Sequence, residues 1–226
     1  MCGTYAFRKA PREVRTLLRE NWRPIDIPSE LWVPSYKIKP SQLAPTIVGY
    51  NEPSIEMQRW GLLPHWMRDR GKAQINAKSE TAADKPMFRA SMRHSRCIVL
   101  ADGFYEPKGQ MQPRPWYFFQ RESEELLGFA GIFTHSAPGT ESSAGFAILT
   151  TSPNADVAPV HERMPVILRV EDWDDWLNLT VPIPALQSLY NPYVAPRLRS
   201  WPVPDDAKKT SSPDGPNCIE ALTTNG

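Results

Sequence analysis

The chain has 226 residues, 41% of them hydrophobic and 23% charged, which suits one large domain or two small ones around a packed core. Its 24 prolines, about twice the usual ~5% share, against 12 glycines predict many proline-punctuated loops and few long helices. A net charge of +1 excludes a polyanion-binding surface spread over the whole molecule, three cysteines exclude a fully paired disulfide scaffold, and no apolar run approaches the ~18 residues of a membrane span.

Met1-Cys2-Gly3-Thr4-Tyr5 carries no basic stretch followed by an apolar one, so a reducing cytoplasm is the expected compartment. Val14, Leu17 and Leu18 stand at helical spacing over Arg12 to Glu20, with Pro11 suited to a first turn. Prolines 24, 28, 34, 40, 45 and 53 then predict extended segments and turns. Strands are expected at Glu56 to Leu63, Arg96 to Leu100, Pro115 to Gln120, Leu126 to Phe133, Gly145 to Thr151 and Pro165 to Val170. Helices are expected at Pro86 to His94, Glu171 to Leu179 and Pro184 to Tyr190. Short strands outnumber helices and do not alternate with them. That predicts an α+β fold, a single compact domain over residues 2–201 around a mainly antiparallel sheet. Residues 202–226 read as a loop-rich tail, partly disordered, with Cys218 to Leu222 able to pair with a sheet edge.

Cys2 is the most informative residue. Removal of Met1 leaves a thiol and an α-amine on neighbouring carbons, and an α-amine of pKa ~7.7–8.0 is partly neutral at physiological pH. A neutral amine attacks an aldehyde to give a Schiff base, and the thiol closes it to a thiazolidine. This requires an accessible Cys2 and loss of Met1; otherwise Cys2 is a small core residue. His161, between two strand-forming segments, can move protons near neutral pH or simply pair with Glu162 or Asp156. Glu106 ends an apolar and aromatic run. It is either desolvated, with a raised pKa suited to acid–base work, or a strand-end carboxylate facing water. Asn76 offers an amide that can orient a nucleophile or cap a turn.

Between Trp66 and Cys97, eight basic residues (Arg68, Arg70, Lys72, Lys78, Lys85, Arg89, Arg93, Arg96) oppose three acidic ones, a local charge of +5. With Trp60, Trp66 and Phe88 interleaved, the window reads as a solvated face or as a groove that tracks phosphates and stacks bases. The cysteines and His65, His94, His135 and His161 show no metal-ligand spacing, and no Gly-rich phosphate loop, GxSxG or HExxH occurs. No metal and no cofactor are expected.

Six segments in order resemble the SRAP family, the SOS-response-associated peptidase domain: Met1-Cys2-Gly3; Trp60-Gly61-Leu62 with Pro64 and Trp66; Asn76-Ala77-Lys78-Ser79-Glu80-Thr81; Ala101-Asp102-Gly103-Phe104-Tyr105-Glu106; Thr150-Thr151-Ser152-Pro153-Asn154; and His161-Glu162-Arg163-Met164-Pro165. The resemblance implies a barrel-like β core, a monomer, and an N-terminal cysteine in a cleft for single-stranded DNA, where it crosslinks to abasic sites as a thiazolidine. It implies Cys2 as nucleophile, Asn76 as the group positioning it, Glu106 as acid/base in sugar ring opening, and His161 as proton shuttle. It implies DNA contacts from Pro40, Trp66, Lys78 and Thr150. Thr4, Lys37, Pro86 and Pro107 depart from the family pattern, and the departures are expected to fall on the DNA channel. Two other readings remain: a cysteine peptidase or amidohydrolase with an N-terminal nucleophile, and a non-catalytic single-strand binder.

Overall fold

The computed structural model describes residues 2–67, 71–109, 114–123, 125–135, 145–192, 198–207 and 209–222. In chain order the elements are β1 (Tyr5–Phe7), α1 (Pro11–Asn21), β2 (Ser35–Ile38), β3 (Leu43–Val48), β4 (Ser54–Trp60), β5 (Asn76–Lys78), α2 (Ser79–Ala82), α3 (Arg89–His94), β6 (Arg96–Ala101), β7 (Gly103–Pro107), β8 (Trp116–Arg121), β9 (Leu127–Thr134), β10 (Gly145–Thr151), β11 (Met164–Pro165), β12 (Ile167–Leu168), α4 (Trp173–Leu177) and β13 (Leu198–Val203).

Five strands close a barrel in the cycle β10–β4–β3–β6–β9–β10. Its pairings are antiparallel except β4–β10, which is parallel. β5 adds to β10 in parallel, with Asn76 opposite Ile148 and Lys78 opposite Thr150. β9 and β10 pair at one end and part at the other, and residues 164–168 wedge into the fork. β11 pairs with β10 and β12 with β9. Between them the Val166 N–H donates to Leu149 O and the Val166 carbonyl accepts from the Ala130 N–H, each at 2.9 Å. The single strand expected at 165–170 is therefore two short ones, because its middle residue bonds to strands on both sides.

The second sheet is antiparallel, in the order β13–β8–β7–β1–β2. β6 leaves the barrel and enters this sheet as β7 through one residue, Asp102. Its N–H donates to Ala6 O at 2.8 Å, and its carboxylate accepts from the Arg8 N–H and from Arg8 Nε. Side chains alternate across the sheet. Tyr5, Phe104 and Phe119 face the barrel, where Tyr5 meets Trp60 and Phe129 (centroids 5.1 and 6.1 Å) and Phe104 meets Phe129 (6.0 Å). Ala6, Tyr105 and Phe118 form a second core with Val203, Ala207 and Cys218. A sheet buried on both faces carries continuous apolar runs rather than alternating ones.

The molecule is thus the expected α+β domain, a barrel-like β core with peripheral helices. α1 buries Pro11, Val14 and Leu18, and Glu13 reaches back to accept the Ala10 N–H at 2.8 Å. The helix expected at 184–190 is a 3-10 helix, Ile183–Tyr190. Prolines 182 and 184 supply no N–H there, and the first turn closes through the Ala185 N–H to Pro182 O. The tail is loop-rich; among its described residues Cys218 is fully buried, and the edge pairing expected at 218–222 is reduced to the Leu222 N–H on Pro202 O. β13 itself runs through residue 203.

Gly103 is where β7 lies closest against β8. A Cβ there would lie 2.4 Å from both Phe118 Cζ and Phe119 O. Gly103→Ala should cost about 1–3 kcal/mol and lower the urea midpoint accordingly; an unchanged midpoint would show that the β7–β8 pair yields without cost.

Candidate active site

Four segments distant in sequence converge at one end of β7. Cys2 lies just ahead of β1, which β7 holds in register through the Tyr105 N–H on Thr4 O (3.0 Å). The Cys2 thiol donates to the same carbonyl at 3.6 Å. Asn76 opens β5, and its Nδ2 donates to Cys2 O at 2.7 Å, while its Oδ1 is buried without a hydrogen-bond partner among the described residues. Glu106 shares the barrel-facing side of β7 with Phe104 and is 0% exposed. His161 ends the loop that follows β10 and places Nε2 3.6 Å from Glu106 Oε2.

The loop that delivers His161 is built by Asn154. Its side-chain oxygen accepts the N–H groups of Asp156 and Val157 (3.1 and 3.0 Å), and Val157 O then accepts the His161 N–H. The Arg163 N–H donates to His161 Nδ1 at 3.1 Å. Arg163 O lies 3.0 Å from the same nitrogen, so Nδ1 has an acceptor when it carries the proton, and Nε2 can then accept from Glu106.

Burial dominates the electrostatics. It pushes the Glu106 carboxyl up to about 8, holds His161 below its ordinary value and raises the Cys2 thiol well above its own. The negative charge of Glu106 adds to the last shift. Near pH 7 the site therefore presents a protonated carboxyl, a neutral imidazole and a neutral thiol. Glu106 is the desolvated carboxylate of the first alternative, and the partner of His161 is Glu106 rather than Glu162 or Asp156.

Several expectations need correction. Cys2 is 0% exposed, so the thiol is not open; it packs within the main core. Thr150 does not line a cleft. It is 0% exposed, and its carbonyl accepts from Arg163 at 2.6 Å. Thr4 and Lys37 are 1% and 6% exposed: Thr4 Oγ1 accepts from Lys39 Nζ, and Lys37 Nζ donates to the carbonyls of Lys209 and Ser212 in the tail. Arg96, counted in the basic window, is 2% exposed and gives its guanidinium to the carbonyls of Met92, Trp176 and Asn178. Arg68 and Arg70 lie outside the described residues.

The other expected contacts are at the surface. Trp66 is 65% exposed in a 3-10 turn, His65–Met67, on a loop pinched shut by reciprocal bonds between Leu62 and Gln74. Lys78 is exposed and shares a side of β5 with Asn76, and Pro40 is exposed ahead of β3. One interaction was not foreseen. Arg163 grips Glu80 through two bonds of 2.6 and 2.8 Å, clamping the His161 loop to α2. Both residues stand in motifs singled out from the sequence, but nothing across 83 positions announces the pair.

The comparisons agree with this architecture. The family model described as SOS response associated peptidase (SRAP) matches residues 1–210. The abasic site processing protein YoqW of Bacillus subtilis is 36% identical over 201 residues, covering 83% of this chain and 88% of its own. The abasic site processing protein HMCES of Xenopus tropicalis is 30% identical over 224 residues, covering 78% of this chain and 66% of its own. Among solved structures, a Bacteroides thetaiotaomicron protein superimposes with a TM-score of 0.83 at 24% identity, covering 98% of this chain and all of its own, a likeness of fold. A phage-related protein of Bordetella bronchiseptica gives a TM-score of 0.70 at 27% identity, covering 89% of this chain and 94% of its own. The family match spans nearly the whole chain and these relatives cover most of it, so the chain belongs to the SRAP family of SOS response associated peptidases.

Proposed function

We propose that this protein acts on abasic sites in DNA, and that it captures the ring-opened sugar of a single-stranded site as a thiazolidine on Cys2. The observation that carries the reading is the convergence of Cys2, Asn76, Glu106 and His161 from four separate segments, two of them joined by a buried acid–imidazole contact. Relatives named for abasic site processing support the substrate class.

The nitrogen of Cys2 is an amide while Met1 is attached, and an amide does not form an imine. Removal of Met1 is therefore the first requirement, and uncovering of the Cys2 side chain, buried in this structure, is the second. The freed amine attacks the C1′ aldehyde, and loss of water gives the C=N bond. The thiol then adds across that bond, sulfur to carbon and hydrogen to nitrogen, closing the five-membered ring. No redox partner is needed. Glu106, protonated near neutral pH, donates to the sugar ring oxygen as the ring opens and to the departing hydroxyl as water leaves. His161 relays the proton between Glu106 and the sugar hydroxyl. Asn76 holds Cys2 by its carbonyl. A thiol kept neutral by burial disfavours the hydrolase alternative, which starts from a thiolate, but not imine chemistry, which starts from the amine.

An abasic site has no base edge to read, so recognition falls to backbone and stacking contacts. Exposed Trp66 and Lys78 are suited to these roles.

On a denaturing gel, protein lacking Met1 should give a heat-stable band with single-stranded DNA carrying one abasic site, and none with intact DNA. Cys2→Ala should abolish the band, as should a chain that keeps Met1. Equal crosslinking by all three forms would remove Cys2 from the mechanism.

The pH dependence follows from Glu106. Its folded value of about 8 exceeds the ordinary 4.5, so its contribution to stability is complete below 4.5 and lost as pH rises through 8. Glu106→Gln should flatten the fall in Tm between about pH 5 and 8.5 relative to the parent chain. The same variant should slow crosslinking by about 10²–10⁴-fold near pH 7, the usual worth of a general acid. A parent rate that does not decline above pH 8 would rule out the protonated carboxyl as the acid.

A further inference from the structure

β1, the strand that leads out of Cys2, has three residues and lies between β7 and β2. β2 is the edge of its sheet, with β1 as its one strand neighbour. A short edge pair of this kind holds its register poorly unless something covers it. Here the C-terminal segment covers it, much of it beyond the family match that ends at residue 210. Asp214 accepts the Tyr36 N–H (2.8 Å) and the Ser35 hydroxyl (2.7 Å). Lys37 Nζ donates to the carbonyls of Lys209 and Ser212.

Lys39 carries this grip to the nucleophile. Its ammonium donates to Ala207 O (3.0 Å) in the C-terminal segment and to Thr4 Oγ1 (3.1 Å). At its other end the same threonine offers the carbonyl that accepts the Cys2 thiol and the Tyr105 N–H. A continuous path thus runs from Ala207 through Lys39 and Thr4 to Cys2. Lys39 is half-buried, and burial, then the like charge of Lys37, holds its ammonium below its ordinary range.

We propose that Lys39 is a positioning residue for Cys2, acting through Thr4, and that the C-terminal segment is the brace against which it works. The inference rests on the reading of Cys2 as the reacting residue, and its consequence is kinetic. Without the bridge the N-terminal strand loses its fixed approach, so the reaction of bound aldehyde slows while DNA affinity is unchanged.

The test uses full-length chain freed of Met1, with Lys39→Met, Thr4→Val and the double variant, each checked for an unchanged thermal transition. Two reactions are followed. One is crosslinking to single-stranded DNA with one abasic site over a range of DNA concentrations; the other is thiazolidine formation with glyoxylate, read by mass, which needs no DNA. Each single variant should lower the rate at saturating DNA by about tenfold, the worth of one charge-assisted hydrogen bond, with the half-saturating concentration unchanged. The double variant should be no slower than the slower single one, because both break the same bridge. The glyoxylate rates should fall in parallel. Undiminished rates in both folded single variants would overturn the proposal. So would a loss confined to the half-saturating concentration, which would make Lys39 a phosphate-binding cation. If the parent reacts with glyoxylate but not with abasic DNA, and Lys39→Met slows the former, the brace stands and the abasic reading falls. No adduct from the parent with either probe overturns both.

Discussion

The corner at Asp102 is the constraint on which the rest of the structure depends. One residue carries the chain out of the barrel and into the second sheet, and its carboxylate, 1% exposed, is held by the backbone and side chain of Arg8 while its N–H binds Ala6. That grip fixes where β1 lies along β7, and the register of β1 on β7 fixes where Cys2 lies relative to Glu106. Breaking such a buried charged contact leaves an uncompensated group in the core, which is costly. The geometry of the site is therefore inherited from a structural interaction several residues away from any chemistry.

Burial serves two purposes in this molecule. The aromatic layer of Tyr5, Trp60, Phe104 and Phe129 joins barrel to sheet. The same removal of water raises Glu106, raises Cys2 and lowers His161, so that three titratable groups stand together uncharged near neutral pH. A site of this kind holds protons ready to give rather than charges ready to attract, which suits imine chemistry better than thiolate attack. Trp66 and Lys78 are displayed outside this layer, at the surface.

Some of this was legible in the residues. β6, β8, β9 and β10 read as strands because buried sheets demand long β-branched and aromatic runs, and α1 read as a helix because Val14 and Leu18 recur at its period. Other segments were decided by partners that no local pattern contains. Residues 164–168 form two strands because Val166 is shared between β9 and β10. In the C-terminal segment Asp214, Ser212 and Cys218 find β2 and the back of the second sheet.

The sequence by itself determined the α+β class and the family, and through the ordered motifs of that family it nominated Cys2, Asn76, Glu106 and His161 as candidates. Only the tertiary structure decided that Cys2 is buried, that Thr150 and Arg96 serve the interior, and that Arg163 is clamped to Glu80. It alone ties Lys39 to Thr4. The physical reason is the same in each case. Side-chain chemistry is local and can be read in order along the chain, whereas desolvation and pairing depend on which distant residues arrive beside a group once both of its sheet faces are buried.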